Sequence, residues 1–140
     1  MTAISHLPTL LATMQPRLSA ESFVFCALPD CDWMRVAALD PVVVVREIEA
    51  LTVVVTLATA KEHGLPTAPA MRRITLDVHS DLEAVGLTAA FAAALTEAGI
   101  SANVVAGYHH DHIFVPDSQA EGAMRALEAL QARAVEDTTV

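Results

Sequence analysis

The order of hydrophobic patterns in the second half of the chain restricts the fold more than any other feature. Between Ile100 and Pro116, two β-rich segments, Ala102–Ala106 and Ile113–Val115, flank a polar tip of His109, His110, Asp111 and His112. Strand-rich flanks around so short a tip read as a β-hairpin. Ahead of it, Arg73–Val78 alternates polar and apolar residues, as a strand with one buried face does. Ser80-Asp-Leu-Glu83 then has the spacing of a capping box, in which serine and glutamate satisfy the free N–H groups of the helix that follows. Ala84, Leu87, Phe91, Ala94, Leu95 and Ala98 fall on one face of that helix, and Gly99 ends it. A second box, Ser118-Gln-Ala-Glu121, opens a closing helix with the stripe Ala120, Ala123, Met124, Leu127, Leu130 and Ala134. The expected order is β-α-β-β-α, with both helices on one face of the sheet.

The first half is less regular. Leu7–Met14 reads as a short helix with Pro8 in its first turn, and Ser22–Leu28 as a strand stopped by Pro29-Asp30. Cys31–Asp40 reads as a turn or irregular piece. The β-branched runs Val42–Ile48 and Leu51–Leu57 read as neighbouring strands. Ala58–His63 reads as a short helix ended by Gly64, and Leu65–Ala70, with two prolines, as a linker. This divides the 140 residues into units 1–66 and 67–140. Domains of about 60–70 residues bury only about 60% of their unfolded surface, so two such halves are expected to share an interface or pair strands.

A composition that is 54% hydrophobic and 18% charged argues for a packed core and against disorder. The formal charge of −9, with only scattered Lys and Arg, argues against nucleic acid as a partner. No secretory signal is visible, and Val42–Val45 is too short to span a bilayer, so no membrane partner is expected. Cys26 and Cys31 do not form C-x-x-C, and the expected state is a reduced thiol in a cytoplasmic protein. No nucleophile elbow, phosphate loop or dinucleotide fingerprint appears. The chain is therefore expected to be no enzyme and to carry no cofactor.

The strings Leu82-Glu-Ala-Val-Gly-Leu-Thr-Ala-Ala-Phe91, Ala98-Gly-Ile-Ser-Ala-Asn-Val-Val-Ala-Gly-Tyr108 and His110-Asp-His-Ile-Phe-Val-Pro116 resemble small bacterial proteins built from tandem ACT domains. The first half is similar through Phe23–Pro29 and Arg46–Thr52. The resemblance implies an α+β fold of two ACT-like, ferredoxin-like βαββαβ units, each a mostly antiparallel sheet covered by helices. The first unit is incomplete, and the missing final strand of the second could come from it by strand exchange. In the wider superfamily such a unit commonly serves as an amino-acid-sensing regulatory module. A non-catalytic module that binds an amino acid or related metabolite, as a homodimer, is therefore the expected function.

Candidate binding residues follow partly from the chain and partly from the resemblance. The loop Val78–Gly86 joins a strand to a helix, whose first N–H groups attract a carboxylate. The family places its ligand between this loop and the second strand. That nominates Asp81, Leu82, Glu83, Ala84, Val85 and Gly86, with Asn103 and Val104 opposite. Arg46 could hold a carboxylate bidentately, although a solvated sheet face or an ion pair explains it as well. His110, Asp111 and His112 supply metal donors, with His110 and His112 expected on one strand face. A hairpin tied by hydrogen bonds is the competing explanation. A protein-interaction module and a metal-binding protein thus remain the alternatives to sensing.

Overall fold

In the computed structural model, which describes residues 3–30 and 32–138, the elements run α1 Leu7–Thr13, β1 Pro16–Leu28, α2 Trp33–Leu39, β2 Val43–Arg46, β3 Leu51–Thr56, α3 Leu57–Glu62, β4 Met71–Leu76, α4 Leu87–Glu97, β5 Asn103–Ala106, β6 Asp111–Pro116 and α5 Ala120–Thr138. They form two compact units, Met1–Ser19 with Arg72–Val140, and Ala20–Met71. The expected division at residues 66 and 67 follows chain order. The compact units are not continuous in the chain: α1 and the start of β1 belong with the elements from β4 onward.

Unit 1 carries the β-α-β-β-α order read from the sequence. Ile74 and Leu76 of β4 and Ile113 and Val115 of β6 point to one side, where Leu87, Phe91 and Leu95 of α4 meet Ala120, Ala123 and Leu127 of α5. Both helices thus share one core, as their apolar stripes require. Leu10, within α1, and Met14, just after it, complete that core with no solvent exposure. The strands lie in the order β1-β4-β6-β5. The start of β1 fills the place beside β4 that the β-α-β-β-α order leaves empty. Arg73 N–H donates to Ser19 Oγ at 3.1 Å, and Arg72 Nε donates to the Ser19 carbonyl at 2.9 Å.

Unit 2 has the strand order β2-β3-β1. Strand β3 pairs antiparallel with β1, Leu28 opposite Leu51 and Phe23 opposite Thr56, and with β2, Arg46 opposite Leu51. Val24, Cys26 and Leu28 join Leu51, Val53 and Val55 in a core closed by Val36 and Leu39 of α2 and Ala60 of α3. The segment read as irregular contains a helix, α2. Asp32 caps it by accepting from Met34 N–H at 3.0 Å and Arg35 N–H at 3.4 Å, and Val36 and Leu39 supply a buried i, i+3 pair. Cys31 lies outside the described residues.

Candidate functional site

The loop after β4 is shaped by backbone pairing, not by a helix cap. Ser80 forms a parallel bridge with Ile4, in which Ile4 N–H donates to the His79 carbonyl and Asp81 N–H donates to the Ile4 carbonyl, both at 2.8 Å. This holds Ser80 extended, where it cannot cap a helix. Asp81 then closes a turn on itself: its Oδ1 accepts Glu83 N–H at 2.8 Å and its carbonyl accepts Ala84 N–H at 2.9 Å. The expected box Ser80–Glu83 therefore does not form, and α4 starts at Leu87 instead of Ala84. Its N-cap is Gly86, with φ of 101°, a conformation that strains any residue with a Cβ. No side chain caps the helix, so its first-turn N–H groups are left to solvent or a ligand. The second box fails for a related reason. Asp117–Gln119 is a 3-10 turn with no side-chain cap, and Ser118 lies inside it.

The hairpin has the expected form, with Asn103 opposite Phe114 and Ala106 opposite Asp111. Strand β6 begins two residues earlier than read, so His112 is a strand residue. Gly107 makes the turn possible, since its N–H donates to the His110 carbonyl at 2.9 Å and a Cβ there would meet that same oxygen at 2.9 Å. Three consecutive side chains then reach different partners. His110 Nδ1 faces the Val78 carbonyl at 3.2 Å, with Nε2 4.0 Å from Asp77 Oδ1. Ser80 Oγ donates to Asp111 Oδ2 at 3.5 Å. His112 Nδ1 and Thr75 Oγ1 are hydrogen-bonded at 3.0 Å. Burial raises the Asp111 carboxyl above its ordinary range, against the Ser80 hydroxyl and His110, which lower it. Burial lowers the His112 imidazole, and the charges of Arg73, His110 and Arg17 add to that.

Loop and hairpin enclose a recess of about 90 Å³ lined by Ser80, Asp81, Leu82, Ala84, Leu87, Thr88, Ala106 and Asp111. A second, wider pocket of about 350 Å³ shares Ser80, Asp81 and Leu82 with it and adds Ala3, His79 and Tyr108. Of the candidate residues, Asp81, Leu82 and Ala84 line the recess. Glu83 and Val85 are exposed, and Gly86 sets the helix start. Asn103 and Val104 lie at the far end of β5 from Ala106, the residue of that strand that lines the recess. The Asn103 amide donates to the Phe114 carbonyl at 3.3 Å. Arg46 belongs to unit 2, where its guanidinium lies 5.4 Å from the centroid of the Trp33 ring. The two cavities are also lined by Ala3, His79, Ser80, Leu87, Thr88, Ala106 and Tyr108, which are not among the candidate binding residues, and by Asp111, expected only as a metal donor. His110 and His112 do not converge, and among the described residues no three His, Cys, Asp or Glu side chains are placed to hold a metal ion.

A β-α-β-β-α unit with a small recess between its first strand-to-helix loop and the following hairpin is the arrangement of a regulatory, small-ligand-sensing module. The chain belongs to the ACT-domain family, whose model matches twice in tandem, over residues 2–72 and 70–129. It is 46% identical to a Vibrio cholerae protein described as of unknown function and a possible transport protein. That match covers 89% of this chain and 95% of the other, with a TM-score of 0.81. Two regulatory subunits of aspartate kinase share the fold. The one from Thermus flavus has a TM-score of 0.62 at 12% identity, covering 82% and 95% of the two chains. The one from Thermus thermophilus, in a ligand-free form, has 0.59 at 12%, covering 85% and 98%. No curated protein matches the chain. Among the described residues no helix is long and apolar enough to cross a membrane.

Proposed function

We propose that this chain is a non-catalytic sensor that binds a free amino acid in the recess between the Ser80–Thr88 segment and the β5–β6 hairpin. One observation carries the reading: an eleven-residue helix with no side-chain cap and the carboxylate of Asp111 border the same cavity. The ligand's carboxylate takes the first-turn N–H groups at Leu87 and Thr88, where the helix dipole is positive. Its ammonium takes Asp111, whose carboxyl burial raises above its ordinary range. The family's regulatory character supports the same reading. Burial raises the Cys26 thiol and so makes it a poor nucleophile.

Thermal-shift measurements of the full chain against the twenty amino acids test this. A hit at about 100 times its dissociation constant should add roughly 2.7 kcal/mol of stability. Asp111→Asn should abolish the shift, whereas Arg46→Ala should leave it intact. No shift in any well, or one that survives Asp111→Asn, contradicts the reading.

The same proposal includes a cytoplasmic location, an incomplete ACT-like unit at 1–66 followed by an ACT domain at 67–140, and a homodimer. Strand β2 supports the dimer. It lies at a sheet edge with Val42, Val44 and Val45 exposed and Ile48 fully so, an apolar edge that a second copy can cover. Light scattering at micromolar concentration should then give twice 14.8 kDa. A monomer mass throughout a dilution series contradicts the dimer.

A further inference from the structure

The wider pocket beside the recess has a wall that amino-acid binding in general does not explain. His79, Tyr108 and His109 form a ring cluster: His79 stacks on His109 with centroids 5.3 Å apart, and Tyr108 meets His109 edge-on at 5.0 Å. His79 and Tyr108 both line the pocket, and Tyr108 is 74% exposed. Aromatic rings are thus held at an open cavity by their own packing, in a turn that gives them no core to fill. On the same wall stands Asp81, its Oδ1 fixed by Glu83 N–H.

Charge narrows the ligand further. The residues lining the recess and the pocket include two carboxylates, Asp81 and Asp111, and no lysine or arginine. An amino acid whose ammonium pairs with Asp111 and whose carboxylate sits on α4 leaves Asp81 unbalanced. An acidic side chain would meet repulsion there, in a chain that already carries −9. A neutral side chain would leave Asp81 to the Glu83 N–H and solvent. A planar, delocalised cation suits both parts of the wall, because a guanidinium stacks on aromatic faces and forks onto a carboxylate. We infer that the side-chain subsite is the pocket of His79, Tyr108 and Asp81, and that its ligand is an amino acid bearing a guanidinium group. This rests on the amino-acid reading above and goes beyond it by naming the ligand's side chain.

Calorimetric titration of the full chain with L-arginine, L-lysine, L-citrulline and L-glutamate separates the two. Citrulline keeps the shape of arginine and removes the charge. Arginine should bind tightest, about tenfold or more above citrulline, with lysine between them and glutamate weakest. Tyr108→Ala, in an exposed turn residue, should weaken arginine about two- to five-fold, in keeping with one lost stacking face. Asp81→Asn retains the oxygen that accepts Glu83 N–H and should bring arginine close to citrulline. Citrulline binding as tightly as arginine, or an arginine affinity unchanged by both substitutions, overturns the guanidinium subsite while leaving amino-acid sensing in place. Binding of none of the four, together with no thermal shift from any other amino acid, removes both.

Discussion

At the scale of single residues, packing and protonation give separable signals. Phe91 is fully buried between β4, β6 and α5, and Phe91→Ala should destabilise the protein by about 3–5 kcal/mol in urea titration. Its place on the core face is legible in the sequence, because a 3.6-residue period fixes which face an aromatic joins. The histidines are a different case. His112 titrates below its ordinary value of 6.5 in the fold, so below that pH the unfolded chain binds a proton that the folded chain refuses. Its contribution is therefore present above pH 6.5 and is lost as pH falls through the lowered folded value. Stability should decline as urea titrations are taken from neutral pH toward pH 5, and His112→Gln should flatten that slope. A slope identical in the variant would remove His112 as its source. Nothing local marks this histidine, since its partner Thr75 is 37 residues away and its burial depends on strand register.

At the scale of elements, existence was legible and ends were not. The β4, α4, hairpin and α5 order follows from periodicity. The S-x-x-E spacing misplaces the start of α4 because it is a local signal, and the pairing of Ser80 with Ile4 overrides it from 76 residues away. Gly86 was the better signal, since its positive φ suits a glycine at the helix start. The two assignments make opposite expectations. Glu83→Ala should change stability by less than about 0.5 kcal/mol, whereas a working capping box would lose about 1 kcal/mol. Gly86→Ala should cost about 1–3 kcal/mol, because it forces a side chain into a left-handed backbone and brings its Cβ to 2.9 Å from Leu7 Cδ2. The unread helix α2 had its own signal in Asp32 followed by Val36 and Leu39, obscured by the short run and the neighbouring Pro29. The site was half legible for the same reasons. Asp81, Leu82 and Ala84 come from the loop between two well-marked elements. Asn103 lies three strand residues from Ala106, roughly 10 Å at strand rise, and does not line the recess.

At the scale of the molecule, chain order and spatial units diverge. Helix α1 packs with the elements that follow β4 through Leu10 and Met14, which carry no sequence signal for that destination. Unit 1 thereby gains a strand beside β4 and keeps the recess, with its uncapped helix, on its own elements. Unit 2 differs at its first helix: Asp32 already occupies the N–H groups of α2, so no equivalent opening is left for a carboxylate. Ligand should therefore bind once per chain, in unit 1. Backbone-amide NMR during titration with the amino acid that gives the largest thermal shift tests this most directly. The expected result is saturable movement of the Leu87 and Thr88 amides, with Asp81, Ala106 and Asp111 following the same isotherm. Movement confined to residues of Ala20–Met71, with Leu87 and Thr88 unchanged at saturation, would contradict it.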